Sequence, residues 1–173
     1  MNASFDRSPA RFDLRSARLI LIDPLALDGL SAELIDLSSL PAGDQSAKIQ
    51  ALGQRGLRIG LTEVEGFRPG TYELDVDSFE SVDPVADDPG IFEVDSGAVV
   101  VVDLSALDVV ARALTWDRYD DLLRGDVDDF SALEAVNADA GGSWFAILSA
   151  DADAGFRGDG AYRLRAGLPR RVT

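Results

Sequence analysis

Leu19-Ile20-Leu21-Ile22-Asp23-Pro24 decides how the rest of the chain is read. Successive side chains of a strand point to opposite faces, so four apolar residues in a row need cover on both faces of a sheet. Proline lacks the N–H that strand pairing requires and stops the ladder after Asp23. Ala98-Val99-Val100-Val101-Val102 repeats the signal with β-branched residues and reads as a central strand. Just before it, Phe92 and Val94 share a face and Asp95-Ser96-Gly97 turns the chain, which predicts a hairpin of 92–94 with 98–102. Trp144-Phe145-Ala146-Ile147-Leu148 supplies a third apolar strand.

Outward from these runs the pattern alternates. Leu57, Ile59 and Leu61 interleave with Arg58, Gly60 and Thr62, and Tyr72, Leu74 and Val76 interleave with Glu73, Asp75 and Asp77. With Arg68-Pro69-Gly70 as a turn between them, they predict a second hairpin. Tyr162 and Leu164 alternate with Arg163 and Arg165, so the arginines face solvent. Such a strand belongs beside a carboxylate-bearing neighbour, either the Tyr72–Val76 strand or the Phe92–Asp95 strand.

Helical spacing is found elsewhere. Asp44 to Leu52 predicts a short helix with Asp44 as N-cap. Leu104, Leu107, Val110, Ala111 and Leu114 fall on one helical face behind a Ser105/Asp108 capping box, and Trp116 to Val136 continues the spacing as far as Gly141. Residues 25–40 have no clean period, and 78–90, with two prolines and four acids, read as a solvated loop. The sum is an α+β fold, a mainly antiparallel β-sheet or sandwich with two or three short helices clustered at 104–140. It forms a single domain over 1–173, with 1–16 as a poorly ordered arm. Leu19, Leu21, Phe92, Val94, Val100, Val102, Leu107, Trp144 and Ile147 are the expected core. No period of 20–50 residues recurs, which argues against a solenoid or propeller.

Composition removes several chemistries. The 173 residues include no cysteine and no histidine. Disulfides, thiolate metal sites, cysteine nucleophiles and histidine-based triads are therefore excluded. The only lysine is Lys48, in AKIQALGQRG, without the glycine-rich loop of a phosphate site. Nor does a GxGxxG follow a strand, as a dinucleotide site would require. The apolar runs are far shorter than the roughly 20 residues a membrane helix needs. With no apolar core near the N-terminus, this predicts a cytoplasmic protein without membrane attachment.

The net charge is −15, distributed unevenly. Residues 1–73 sum to −2; residues 74–156 hold 20 acids and three bases, hence −17; residues 157–173 sum to +4. So acidic a middle repels phosphate backbones, which argues against nucleic acid and for a basic protein partner. Asp117, Asp120, Asp121, Asp128 and Asp129 are the candidate interaction residues. Asp151, Asp153 and Asp159, in a loop with three glycines, are weak candidates for calcium or magnesium, but the EF-hand pattern fails at Gly155, Phe156 and Tyr162. No cofactor and no catalytic residue is otherwise predicted.

Asp23-Pro24-Leu25, Pro69-Gly70-Thr71-Tyr72, Val94-Asp95-Ser96-Gly97 with Asp103, and Gly158-Asp159-Gly160-Ala161-Tyr162 with Gly167 occur in order along nearly the whole chain. In these the chain resembles the uncharacterised bacterial family catalogued as domain of unknown function 4241, departing from it where Phe156-Arg157 stands for an expected tryptophan. The resemblance implies a mostly β architecture and a bacterial cytoplasmic origin, and carries no activity or site residue with it. The expected function is that of a non-enzymatic, acidic interaction or regulatory protein. The alternative is a carboxylate-based hydrolase or isomerase using a divalent hard cation.

Overall fold

The computed structural model describes residues 10–16, 18–53, 61–64, 66–74, 76–83, 91–95, 98–113, 115, 117, 145–149, 159–165, 167 and 169–172. Ten strands and four α-helices are described: β1 (Ala10–Leu14), β2 (Leu19–Ile22), α1 (Pro24–Gly29), α2 (Ser31–Asp36), α3 (Ala42–Gly53), β3 (Leu61–Val64), β4 (Gly70–Leu74), β5 (Phe79–Ser81), β6 (Phe92–Val94), β7 (Ala98–Asp103), α4 (Leu107–Ala113), β8 (Phe145–Ser149), β9 (Gly160–Leu164) and β10 (Arg170–Val172). They form three antiparallel sheets, ordered β3-β2-β7-β8, β1-β4-β10 and β5-β9-β6. The class is α+β, as the pattern predicts.

The four-stranded sheet is the middle layer, which is why Leu19–Ile22 of β2 and Ala98–Val102 of β7, its two central strands, are apolar on both faces. Ile20, Ile22, Val100 and Val102 pack against Leu27, Leu34, Leu37, Ile49 and Leu107 of the helical layer. Leu19, Leu21, Val99 and Val101 pack against Phe12, Tyr72, Leu74, Phe79, Phe92, Val94 and Tyr162 of the two small sheets. Each such side chain removed from water stabilises the fold by about 1.5–3 kcal/mol. All seven expected core residues whose side chains are described are buried, Leu19 to Leu107; Trp144 and the Ile147 side chain lie outside the described residues.

Several local expectations give way. The 92–94 and 98–102 segments are not a hairpin: β6 pairs with β9, and β7 lies between β2 and β8. Likewise β3 pairs with β2 whereas β4 lies between β1 and β10; residues 57–60 lie outside the described residues. In both places a short connection carries the chain from one layer to the next, because an apolar face can be covered by a second sheet as well as by a paired strand. Residues 79–81, read as loop, form β5, and 10–14, read as arm, form β1.

Helices also occupy 24–36, before the cluster expected at 104–140, of which the described part is α4 and the turn that leads into it. Two six-residue helices and a 3-10 turn at Leu37–Ser39 break the period that a longer helix would show. In α3, Asp44 lies in the first turn instead of capping it; the Pro41 carbonyl accepts from the Asp44 and Gln45 N–H groups. The turn before α4 is capped by Asp103, not by a Ser105/Asp108 box.

A two-fold relation runs through this topology. Phe12–Leu30 and Phe92–Val110 align at a constant offset, with Phe12/Phe92, Asp23/Asp103, Ala26/Ala106, Leu27/Leu107 and Asp28/Asp108 identical. GTYEL of β4 corresponds to GAYRL of β9. The registers agree as well: Phe12 opposes Tyr72 as Phe92 opposes Tyr162, and Leu14 opposes Gly70 as Val94 opposes Gly160. The strand following each half's Gly-x-Tyr strand crosses over, so that β5 completes the sheet of β6 and β9 while β10 completes that of β1 and β4.

Candidate functional site

The buried carboxylates come first, because a charge taken out of water needs partners. Asp103 is fully buried and Asp23 nearly so. Each ends a strand of the middle sheet and caps the helical turn that follows, with φ and ψ of −67° and 137° at Asp103 and −67° and 135° at Asp23. Asp103 Oδ1 accepts from Arg15 N (2.9 Å), Ser16 N (2.9 Å) and Ser16 Oγ (2.8 Å); Oδ2 accepts from Ser105 N (3.0 Å) and Ser105 Oγ. Asp23 accepts from Leu25 N (2.7 Å) and Asp95 N (2.6 Å). Asp95 is the counterpart of Arg15, so the two aspartates hold equivalent turns. Their oxygens are engaged by the chain itself, and both act as braces.

Other carboxylates meet arginines. Glu63 accepts from Arg18 Nε at 2.5 Å and from Ser46 Oγ at 3.1 Å, joining α3 to the middle sheet. Arg163 Nε on β9 lies 2.5 Å from Glu80 of β5, and Nη1 of Arg165, just past the end of β9, lies 3.8 Å from the same carboxylate. The arginine strand thus lies beside the Phe92–Val94 strand, one of its two expected neighbours, while its carboxylate comes from β5 on the other edge. On β4, Glu73 is flanked by Arg11, 3.6 Å away, and stands opposite Arg170 in register.

Among the described residues an open depression of about 350 Å³ lies at the end of the β5-β9-β6 sheet. Its lining includes Ser81, Val82, Glu93, Asp95, Gly160 and Ala161. Asp159, a weak metal candidate, is exposed just before Gly160. Asp117 is exposed, whereas Asp120, Asp121, Asp128, Asp129, Asp151 and Asp153 lie outside the described residues. Among the described residues no three His, Cys, Asp or Glu side chains gather where a metal ion could be held.

Sequence reasoning passed over Glu93 and Asp95 as a pair, and no short motif marks them. The signal that could have found them is the duplication, which sets Asp95 against Arg15 and Ala161 against Thr71. Among the described residues no helix is long and apolar enough to cross a membrane. No family model, curated protein or solved structure matches the chain, and the resemblance to the family of unknown function rests on its motifs alone.

Proposed function

We propose that the chain is a non-enzymatic, acidic interaction or regulatory protein that binds a basic protein partner. One observation carries the reading: residues 74–156 hold 20 acids against three bases. Within that segment Asp77, Asp83, Asp95 and Asp117 are exposed, while its buried aspartate, Asp103, is consumed as a brace. A surface of one sign attracts the opposite sign over roughly a Debye length, about 8 Å at physiological salt.

The test is affinity purification on the immobilised chain at roughly 0.05 M and 0.5 M salt, either side of the physiological value. A partner of high isoelectric point retained at low salt and released at high salt supports the reading. Retention of acidic or neutral partners only, independent of salt, overturns it.

A further inference from the structure

Each small sheet takes its third strand from the other half of the chain, although a nearer place is open to that strand. The connection from β4 to β5 is residues 75–78 and that from β9 to β10 is residues 165–169, four and five residues, lengths that ordinary hairpins use. Folded back in the register it now has, β5 would set Phe79, Glu80 and Ser81 against Leu74, Glu73 and Tyr72 of β4, in place of Leu164, Arg163 and Tyr162 of β9. Strand β10 would likewise set Arg170 and Arg171 against Arg163 and Tyr162, in place of Glu73 and Tyr72.

The apolar positions do little to separate the two arrangements. Both hosts offer a tyrosine and a leucine at matched places, Tyr72 and Leu74 on β4 or Tyr162 and Leu164 on β9. Phe79 now lies against Phe92 with ring centroids 5.8 Å apart, and folding back would set it beside Phe12, the counterpart of Phe92. The charges do separate them. In the exchanged sheets Glu80 meets Arg163 at 2.5 Å, and Arg170 stands opposite Glu73. Folding back would place Glu80 opposite Glu73 and Arg170 opposite Arg163, so both hairpins would bring like charges together. By strand alternation the four side chains lie on the face away from Tyr72 and Tyr162, the arginines exposed and the glutamates half-buried.

From these registers we infer that Glu73, Glu80, Arg163 and Arg170 form a conformational selector, which excludes the two local hairpins and directs each third strand across to the opposite half. Attraction in the exchanged pairs and repulsion in the hairpins act in the same direction. The difference between the two arrangements therefore exceeds what any one of the pairs contributes to stability.

NMR on the isotope-labelled full chain tests it, with Arg11→Gln and Arg165→Gln in every protein because these arginines lie 3.6 Å from Glu73 and 3.8 Å from Glu80. With the four selector charges native, interstrand NOEs should run from Ser81 to Tyr162 and from Arg171 to Tyr72. Glu80→Arg with Arg170→Glu gives like charges to the exchanged sheets and opposite charges to the hairpins. The local form should then rise about tenfold or more, seen as NOEs from Ser81 to Tyr72 and from Arg171 to Tyr162. Adding Glu73→Arg and Arg163→Glu makes the exchanged pairs opposite once more and should restore the original NOEs, which decides the matter even where the first variant fails to fold. Exchanged NOEs alone in the first variant overturn the selector, and so does a fourfold variant that does not regain them.

Discussion

The two halves of the molecule share strand register residue for residue and differ in charge at matched places. Glu73 on β4 corresponds to Arg163 on β9, and Arg170 on β10 corresponds to Glu80 on β5. Each exchanged strand thus brings to the other half a charge opposite to the one it finds there. What is common to both halves is the apolar phase of the central strands, the Phe–Tyr cross-strand pair and the aspartate that ends the strand. These elements hold the topology. The exposed positions were free to diverge, the arginine and the glutamate of each pair changing places between the halves.

This comparison breaks most severely if its matched aromatic positions are unequal. Phe12 and Phe92 are both buried against a tyrosine of the neighbouring strand, with ring centroids 6.3 Å and 6.4 Å apart. Phe12→Ala and Phe92→Ala should each cost about 3–5 kcal/mol, the usual range for emptying such a site. Urea unfolding followed by circular dichroism measures both, and a difference above about 2 kcal/mol would show that one half carries the core by itself.

The braces rank next. Asp103→Ala strands the Arg15, Ser16 and Ser105 donors in a partly buried place, and should cost about 3 kcal/mol. Asp23→Ala removes a helix cap and the tie to Asp95, and should cost about 2 kcal/mol. An Asp103→Ala protein as stable as wild type would refute the brace. Asp103→Asn sharpens the point, since it keeps the shape while turning one acceptor into a donor that faces N–H and O–H groups.

The smallest effect is expected from the charges. A double-mutant cycle on Arg163 and Glu80, using Arg163→Gln and Glu80→Gln, should give a coupling of about 0.2–1 kcal/mol that shrinks with added salt. A coupling near zero would mean that the reversed charges choose partners for the strand edges without stabilising them.

These particulars also show what was legible beforehand. Leu19–Ile22 and Ala98–Val102 were readable because continuous β-branched and apolar residues leave few alternatives to a strand covered on both faces. The pairing of strands was not, since a short connection between two strands permits either a hairpin or a step to another layer. Strand β5 escaped because three residues, one of them Glu80, give too little alternation to separate them from an acidic loop. The duplication escaped as well: only a handful of positions stayed identical, and the offset changes between Phe12–Leu30 and the Gly-x-Tyr strands. At the site, the expected aspartates were chosen by density of charge. The depression lies instead where β9 begins with two small residues, Gly160 and Ala161.

The crossing of β5 and β10 bears on how the molecule is made. Strand β4 emerges from the ribosome about a hundred residues before its neighbour β10, whereas β5 must wait for β9, made some eighty residues later. Neither small sheet can close on the growing chain until the last strands have been synthesised. Closing such long loops is slow compared with forming local helices, because the entropy of the intervening chain is lost before the contacts compensate for it. The first half, as it emerges, exposes an incomplete edge on β4, and the charged side chains of Arg11 and Glu73 on that face help to keep the waiting edge from pairing with a neighbouring nascent chain.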